Sequence, residues 1–448
     1  MPPDDESLMT LEAIIATSRF GFAAREGDLA AVSDDPRGWV RDQLRKRPAA
    51  LPASLPSSAA MVAATLQARE DRKAGATSGA RDALRDVLVA EIGARINAAI
   101  ASDTPLLERM VFFWSNHFTV SALRPVVRGF VGAFEREAIR PHVTGRFADM
   151  LLAVARHPAM GFYLDNIQSI GPNSPFGKRR DKGLNENLGR ELLELHTLGV
   201  DGGYTQKDVE ALARILTGWT IARLQDPSPG SFRFVPQIHE PGDKLLLGRR
   251  YAEGGAGEGE AALRDLARHP ATSRHVATKL ARHFISDTPP QAAIDRIAKR
   301  YRDSDGDLRQ VMEAVVAEPA AWQTPFAKVK TPTELVVAAC RASGFDDVPG
   351  EALVASLRVL DQPAFIAPSP AGWPDVATAW ISPEAVLRRA EWCQAFANRL
   401  PDPPDPVAIA SSSLGETLPE ETLQAIRRAP DRRIGLALLL ASPQFQRR

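Results

Sequence analysis

Apolar residues recur at three- and four-residue spacing through most of this chain, and prolines and glycines cut that pattern into short lengths. Such a period buries one stripe of a helix and leaves the rest wet. The segments 80–101, 104–118, 131–143, 146–158, 206–222, 259–268, 271–285, 290–303, 307–318, 332–343, 383–400 and 432–441 all carry it. The 35 prolines and 31 glycines supply the stops between them. Thr104-Pro105 reads as an N-cap followed by proline in the first helical position, and Thr205 with Asp208 reads as a capping box. The expectation is a mainly α fold: a large multi-helix bundle, a single helical domain over 1–448. Its subregions are N-terminal helices (1–100), core helices (101–223), an excursion (224–260) and C-terminal helices (261–448).

Three stretches break the pattern. Residues 230–259 alternate at Phe232 and Phe234, turn at Pro241-Gly242 and run apolar through Leu245–Leu247, which reads as a small β-hairpin or extended excursion near 230–251. Residues 168–183 are rich in Gly, Pro and basic side chains. Residues 361–382 hold too much proline for a helix.

Composition narrows the function classes. Acids and bases balance at 55 each, so no global field draws nucleic acid or an anionic membrane, and 6% aromatic content argues against a base-stacking surface. No run of about 18 apolar residues suggests a membrane span. The N-terminus is acidic before its apolar part, the reverse of a secretory signal, which reads as cytoplasmic while leaving export open. Cys340 and Cys393 lie in helical apolar patterns and read as reduced, packed thiols.

The chemistry-bearing stretch is NENLGRELLELHTLGV, residues 185–200. At about 100° per residue, Leu184, Leu188, Leu192 and Leu195 form one stripe. Glu191 falls at its edge and is expected to be substantially buried. Asn187, Glu191 and Glu194 share a flank, and Glu186 with Arg190 forms an i, i+4 pair opposite. A buried carboxylate needs a cation, a metal or several donors. It is therefore either a structural ion pair or a reactive group. His196 reads as a packed or capping histidine. On 104–118, His117 falls inside the apolar arc beside Asn116; it is either a hydrogen-bonded core residue or a base or ligand. Asp165 and Asn166 sit where a helix gives way to the basic loop. Lys178, Arg179, Arg180 and Lys182 precede a helix start, where free N–H groups attract anions. His239 and Lys244 lie on the excursion.

The stretches ERMVFFWSNHFTVS, FYLDNIQSIGPNSP, GLNENLGRELLELHTLGVDGGYTQKDVEALARILTGWT, HEPGDKLLLGRRY, KTPTELVVAACRA and SPAGWPDVATAWISPEAVLRRAEW, in that order, resemble the bacterial domain of unknown function 1800 family over nearly the whole chain. The resemblance places its pattern on Trp114, Asn116, His117, Asp165, Asn166, Asn185, Glu186, Arg190, Glu191, Glu194, Gly199, Thr217, Gly218, Trp219, His239, Lys244, Gly248, Gly372 and Trp373. Ser115 stands where that pattern commonly has histidine, which removes one donor from any metal reading. His196 stands where similar sequences have phenylalanine. The family has no settled activity. Its members often neighbour a second uncharacterised family of sulfatase- or phosphatase-like character, which implies a protein partner.

Two functions follow as expectations. In the first, His117, Asp165 and Glu191 are catalytic in one buried pocket, with Asn116, Asn166, Asn185, Glu186, Arg190, Glu194, Arg179, Arg180, His239 and Lys244 binding substrate. The substrate would be anionic or sugar-like and the reaction hydrolysis or group transfer, by general acid/base catalysis or with a divalent metal as cofactor. In the second, the chain is a non-catalytic scaffold or maturation partner of a sulfatase- or phosphatase-like protein.

Overall fold

The computed structural model describes residues 11–73, 80–180 and 183–448. It is mainly α-helical, with two small antiparallel two-stranded sheets. Helices Ala80–Ala101, Pro105–His117, Phe147–Arg156, Pro270–Phe284, Pro332–Ala342, Pro383–Arg399 and Arg432–Ala441 stand where the apolar spacing puts them. Among the described residues no helix is long and apolar enough to cross a membrane. Both cysteines are buried free thiols.

Local chemistry sets the helix starts. Thr205 and Asp208 close a capping box, as do Thr331 and Glu334. The two His-Pro-Ala sequences start helices alike: His157 Nδ1 accepts from Ala159 N at 3.1 Å, and His269 Nδ1 from Ala271 N at 3.2 Å. Thr104 departs from expectation, because its side chain caps nothing and lies 3.3 Å from Ser102 Oγ instead.

Two elements differ from a simple helical reading. The 206–222 segment is helical only to Ile215. Gly218 turns the chain at φ 86°, and Trp219–Ile221 becomes a strand paired with Phe232–Phe234. The hairpin therefore forms from Lys244–Leu246 and Arg249–Tyr251 alone, closed by Leu247 and Gly248 with positive φ. Two left-handed residues match the twist of a tight hairpin.

The 185–200 stretch is α-helical over Asn187–Glu191, then π-helical over Leu192–His196. Thr197 Oγ1 donates to Leu192 O at 2.6 Å across that widened turn. A π turn adds a residue per turn, so positions beyond Glu191 rotate relative to an ideal wheel. Glu191 ends up half-buried, while His196 turns fully inward, 0% exposed.

Two apolar clusters make the core. The larger holds Trp114, Phe118, Phe147, Leu192 and Phe284; the smaller holds Phe22, Ile96, Leu335, Trp392 and Leu436. Phe112 and Phe365 pack against both. Arg341 ties the Ala80–Ala101 helix to the smaller cluster. Its guanidinium donates to the carbonyls of Ala99, Ile100 and Ser102, which the helix end leaves without partners.

His196 tests this core. Neither of its ring nitrogens has a partner among the described residues, and burial, then Lys279 and His275, push its pKa down to about 3. Burial holds His275 at about 4 as well. Both values lie below that of an unfolded histidine, about 6.5. The unfolded chain therefore binds more protons, and stability present above that value is lost as pH falls below it. His196→Phe should raise stability by about 1–2 kcal/mol and move the acid-unfolding midpoint, followed by circular dichroism, to lower pH. An unchanged or higher midpoint would contradict this account.

Candidate functional site

A cavity of about 300 Å³ lies where the two apolar clusters meet, with Phe112 and Phe365 in its wall. Three parts of the chain frame it: the end of helix Pro105–His117, the inner face of Pro270–Phe284 and the proline-rich segment after Leu360. That segment is held by its backbone. Ala122 N donates to Phe365 O at 2.8 Å, and Ser121 Oγ donates to Ala367 O at 2.7 Å. Asn116 pins it further, accepting from Trp373 N at 2.7 Å and donating to Trp373 O at 2.9 Å. Gly372 makes this approach sterically feasible. At φ 81°, any Cβ there would lie 2.6 Å from Asn116 Oδ1 and closer still to its carbonyl.

That anchoring delivers Asp375 to the cavity. Its Oδ2 lies 2.6 Å from His283 Nδ1, and its Oδ1 lies 2.9 Å from Lys328 Nζ. Burial opposes the charge on Asp375, but His283 and Lys328 outweigh it and hold the carboxyl well below its usual range. Burial lowers His283 despite Asp375. The assigned state is a carboxylate accepting from Nδ1–H of a neutral imidazole, which leaves Nε2 as the basic nitrogen. That nitrogen has no partner among the described residues.

The cavity floor is charged. Glu334 pairs with Arg109 and, at 3.1 Å, with Arg448. Burial would raise Glu334, but Arg448 and Arg109 win and hold it far below the carboxylate range. Arg109 also donates to Gly21 O at 2.7 Å and Arg448 to His283 O at 2.8 Å. Arg95 is matched by Glu135 at 2.6 Å. Lys279 and Arg282, one helical turn before and one residue before His283, also line the cavity. Neither makes a salt bridge among the described residues. Burial first, then Arg282, pulls Lys279 down to about 8 against the opposing pull of Asp375.

Of the residues singled out in the sequence, Asn116 and His117 line this cavity. His117 Nε2–H donates to His196 O at 3.1 Å, and burial, then Lys279, keeps its ring neutral. Ser115, the departure from the family pattern, also lines it and donates to Glu135 at 2.6 Å.

The expected convergence with Asp165 and Glu191 does not occur here, since neither lines the cavity. Asp165 is clamped by Arg124 at 2.8 and 2.9 Å. Asn166 donates to Trp219 O at 3.2 Å. Asn185 Oδ1 accepts from Asn187 N at 2.9 Å. Glu186 and Arg190 pair at 3.0 Å and share Gln206. Glu191 is raised by burial and then by Glu194, with Arg190 opposing, and Tyr204 is raised by burial and then by Glu194.

His239 and Lys244 belong to a third knot, both 3.1 Å from the buried Glu258. Arg179 is exposed, and the Arg180 side chain and Lys182 lie outside the described residues. Among the described residues no group of three or more His, Cys, Asp or Glu side chains is placed to hold a metal ion.

Sequence reasoning missed Lys279, Arg282, His283 and Asp375. Asp375 had a signal, since it sits two residues after Trp373 in a motif whose Gly-Trp was noted. The other three lie on a helix whose polar face looks like any solvated face until the Trp373 segment covers it.

The chain matches no curated protein and no solved structure. A family model described as "Protein of unknown function (DUF1800)" matches residues 15–447, nearly its whole length. The chain therefore belongs to that family.

Proposed function

We propose that this protein is an enzyme whose active centre is the cavity at His283 and Asp375, where it binds a small anionic substrate and moves a proton on it. The observation that carries this reading is the 2.6 Å His283–Asp375 pair, which leaves Nε2 buried and, among the described residues, unpartnered on a histidine that lines the cavity. A carboxylate that fixes the tautomer of a neutral imidazole is the arrangement general base catalysis needs. Substrate charge follows from the wall: Arg95 and Arg109 are matched by carboxylates, whereas Lys279 and Arg282 are not. Side by side in the cavity wall, those two cations favour an anion. A volume of about 300 Å³ fits a small molecule. His117 and Asn116 shape the same wall. Asp165, clamped by Arg124, and Glu191, beside Glu194 and Arg190, do not line this cavity and take no part in this chemistry.

A second reading, a helical scaffold that docks a protein partner, draws on one observation. An apolar groove of about 340 Å³ is lined by Val329, Ile381 and Val386, the last two exposed.

Two measurements test the enzyme reading. Against a panel of aryl phosphate, sulfate and carboxylate esters, His283→Gln should lower kcat about 10²–10⁴-fold while calorimetric binding of inorganic sulfate is retained. Turnover unaffected by His283→Gln would take the active centre away from this cavity, and no turnover of any of these esters by the wild type would favour the scaffold. Sulfate affinity should also fall about tenfold between pH 7 and 9, as Lys279 loses its proton near pH 8. Lys279→Met should flatten that dependence. A wild-type affinity independent of pH would remove Lys279 from the anion site.

A further inference from the structure

The lysines of this chain sort by environment, and one stands apart. Lys244 is buried against Glu258 at 3.1 Å, Lys328 against Asp287 at 2.5 Å, and Lys330 donates to the carbonyls of Phe445 and Arg447 at 2.5 and 2.6 Å. Lys73 and Lys299 pair with Glu70 and Asp303 on the surface. Lys46, Lys178 and Lys207 are exposed. Among the described residues, only Lys279 both lines a cavity and lacks a hydrogen-bonding or ion-pairing partner.

Its neighbours suit nucleophilic use. Positions three and four apart share a helix face, so Arg282 and His283 stand beside Lys279 on the cavity side of Pro270–Phe284. A lysine beside another cation, with no carboxylate pairing it, is the environment that frees an amine near neutral pH. Among the described residues no carboxylate within salt-bridge distance holds the ammonium form, and its value near 8 agrees with that geometry.

Resting on the reading of this cavity as the active centre, we propose that Lys279 is an amine nucleophile that forms an imine with the carbonyl carbon of a small oxo acid whose carboxylate is held by Arg282. The Nζ lone pair attacks that carbon. The C–N bond forms, and the carbonyl π pair moves to oxygen. His283 Nε2 takes a proton from nitrogen and delivers it to that oxygen. The second amine hydrogen follows as the C–O bond breaks, so the oxygen leaves as water and the C=N bond forms. Amine and carbonyl give imine and water, with no oxidant or reductant. Asp375 keeps His283 in the tautomer this shuttle requires.

The test is reductive trapping on the full-length chain at pH 8, with pyruvate as probe and cyanoborohydride as the trap, mapped by peptide mass spectrometry. At that pH Lys279 holds on the order of a hundredfold more free amine than an ordinary lysine. Its modification should outpace that of Lys46, Lys178 and Lys207 by at least about tenfold, and inorganic sulfate should slow it at Lys279 alone. Arg282→Gln should slow trapping of pyruvate several-fold more than trapping of neutral acetaldehyde, which it slows only by removing the cation beside the Lys279 amine. Modification of Lys279 no faster than of the exposed lysines overturns the proposal, as does equal slowing of both probes by Arg282→Gln. Sulfate binding by the wild type, measured separately, keeps the two ideas apart. Binding without selective trapping sinks the imine alone, and absence of sulfate binding sinks the anion-binding cavity on which it rests.

Discussion

Glu334 accepts from two arginines in a place water does not reach, and the cavity is built over that contact. Arg109 comes from the helix that carries Asn116 and His117, and its guanidinium also binds Gly21 O. Arg448 comes from the last residue and reaches His283 O. Glu334 itself closes the capping box that starts Pro332–Ala342. One carboxylate thus joins three helices and the C-terminal segment. An ion cluster this dry gains little net stability over apolar packing, but removing one member strands a buried charge at a cost of roughly 3–5 kcal/mol. That asymmetry ties the floor of the cavity to a single arrangement.

The walls follow the opposite electrostatic rule. At the floor every cation meets an anion. Higher up, Lys279 and Arg282 project from one helix without carboxylates, and Asp375 serves His283 and Lys328 instead. These two partly exposed cations, three residues apart on one helix face, repel each other, which is the like-charge contact that the floor avoids. The polar knots at Asp165–Arg124 and at His239–Lys244–Glu258 are internally matched or nearly so, which is the pattern expected of groups that hold loops in place.

Much of the fold was legible because helix formation depends on spacing within one segment. Leucines and valines three and four apart, proline at helix starts and Thr-x-x-Asp/Glu boxes are local signals, and they placed Pro332–Ala342 and Pro383–Arg399 within a residue. The site was less legible. The wheel put Glu191 at the edge of the stripe, where it is half-buried, and read His196 as packed or capping, and it is buried; the π turn over Leu192–His196 is what no spacing of leucines announces. Asn116 and Gly372-Trp373 were visible as motif residues. Their relation, a side-chain amide clasping both backbone groups of Trp373 across 257 positions of sequence, was not.

By itself the sequence determined a helical chain with reduced thiols, a short β excursion and membership of its family, since these rest on composition, period and ordered motifs. Only tertiary structure decided which polar groups face one another. His283 and Asp375 are 92 positions apart, and either alone reads as an ordinary surface residue. What brings them to 2.6 Å is the seating of a proline-rich segment on the end of a distant helix, a contact whose energy belongs to two surfaces and to neither segment alone.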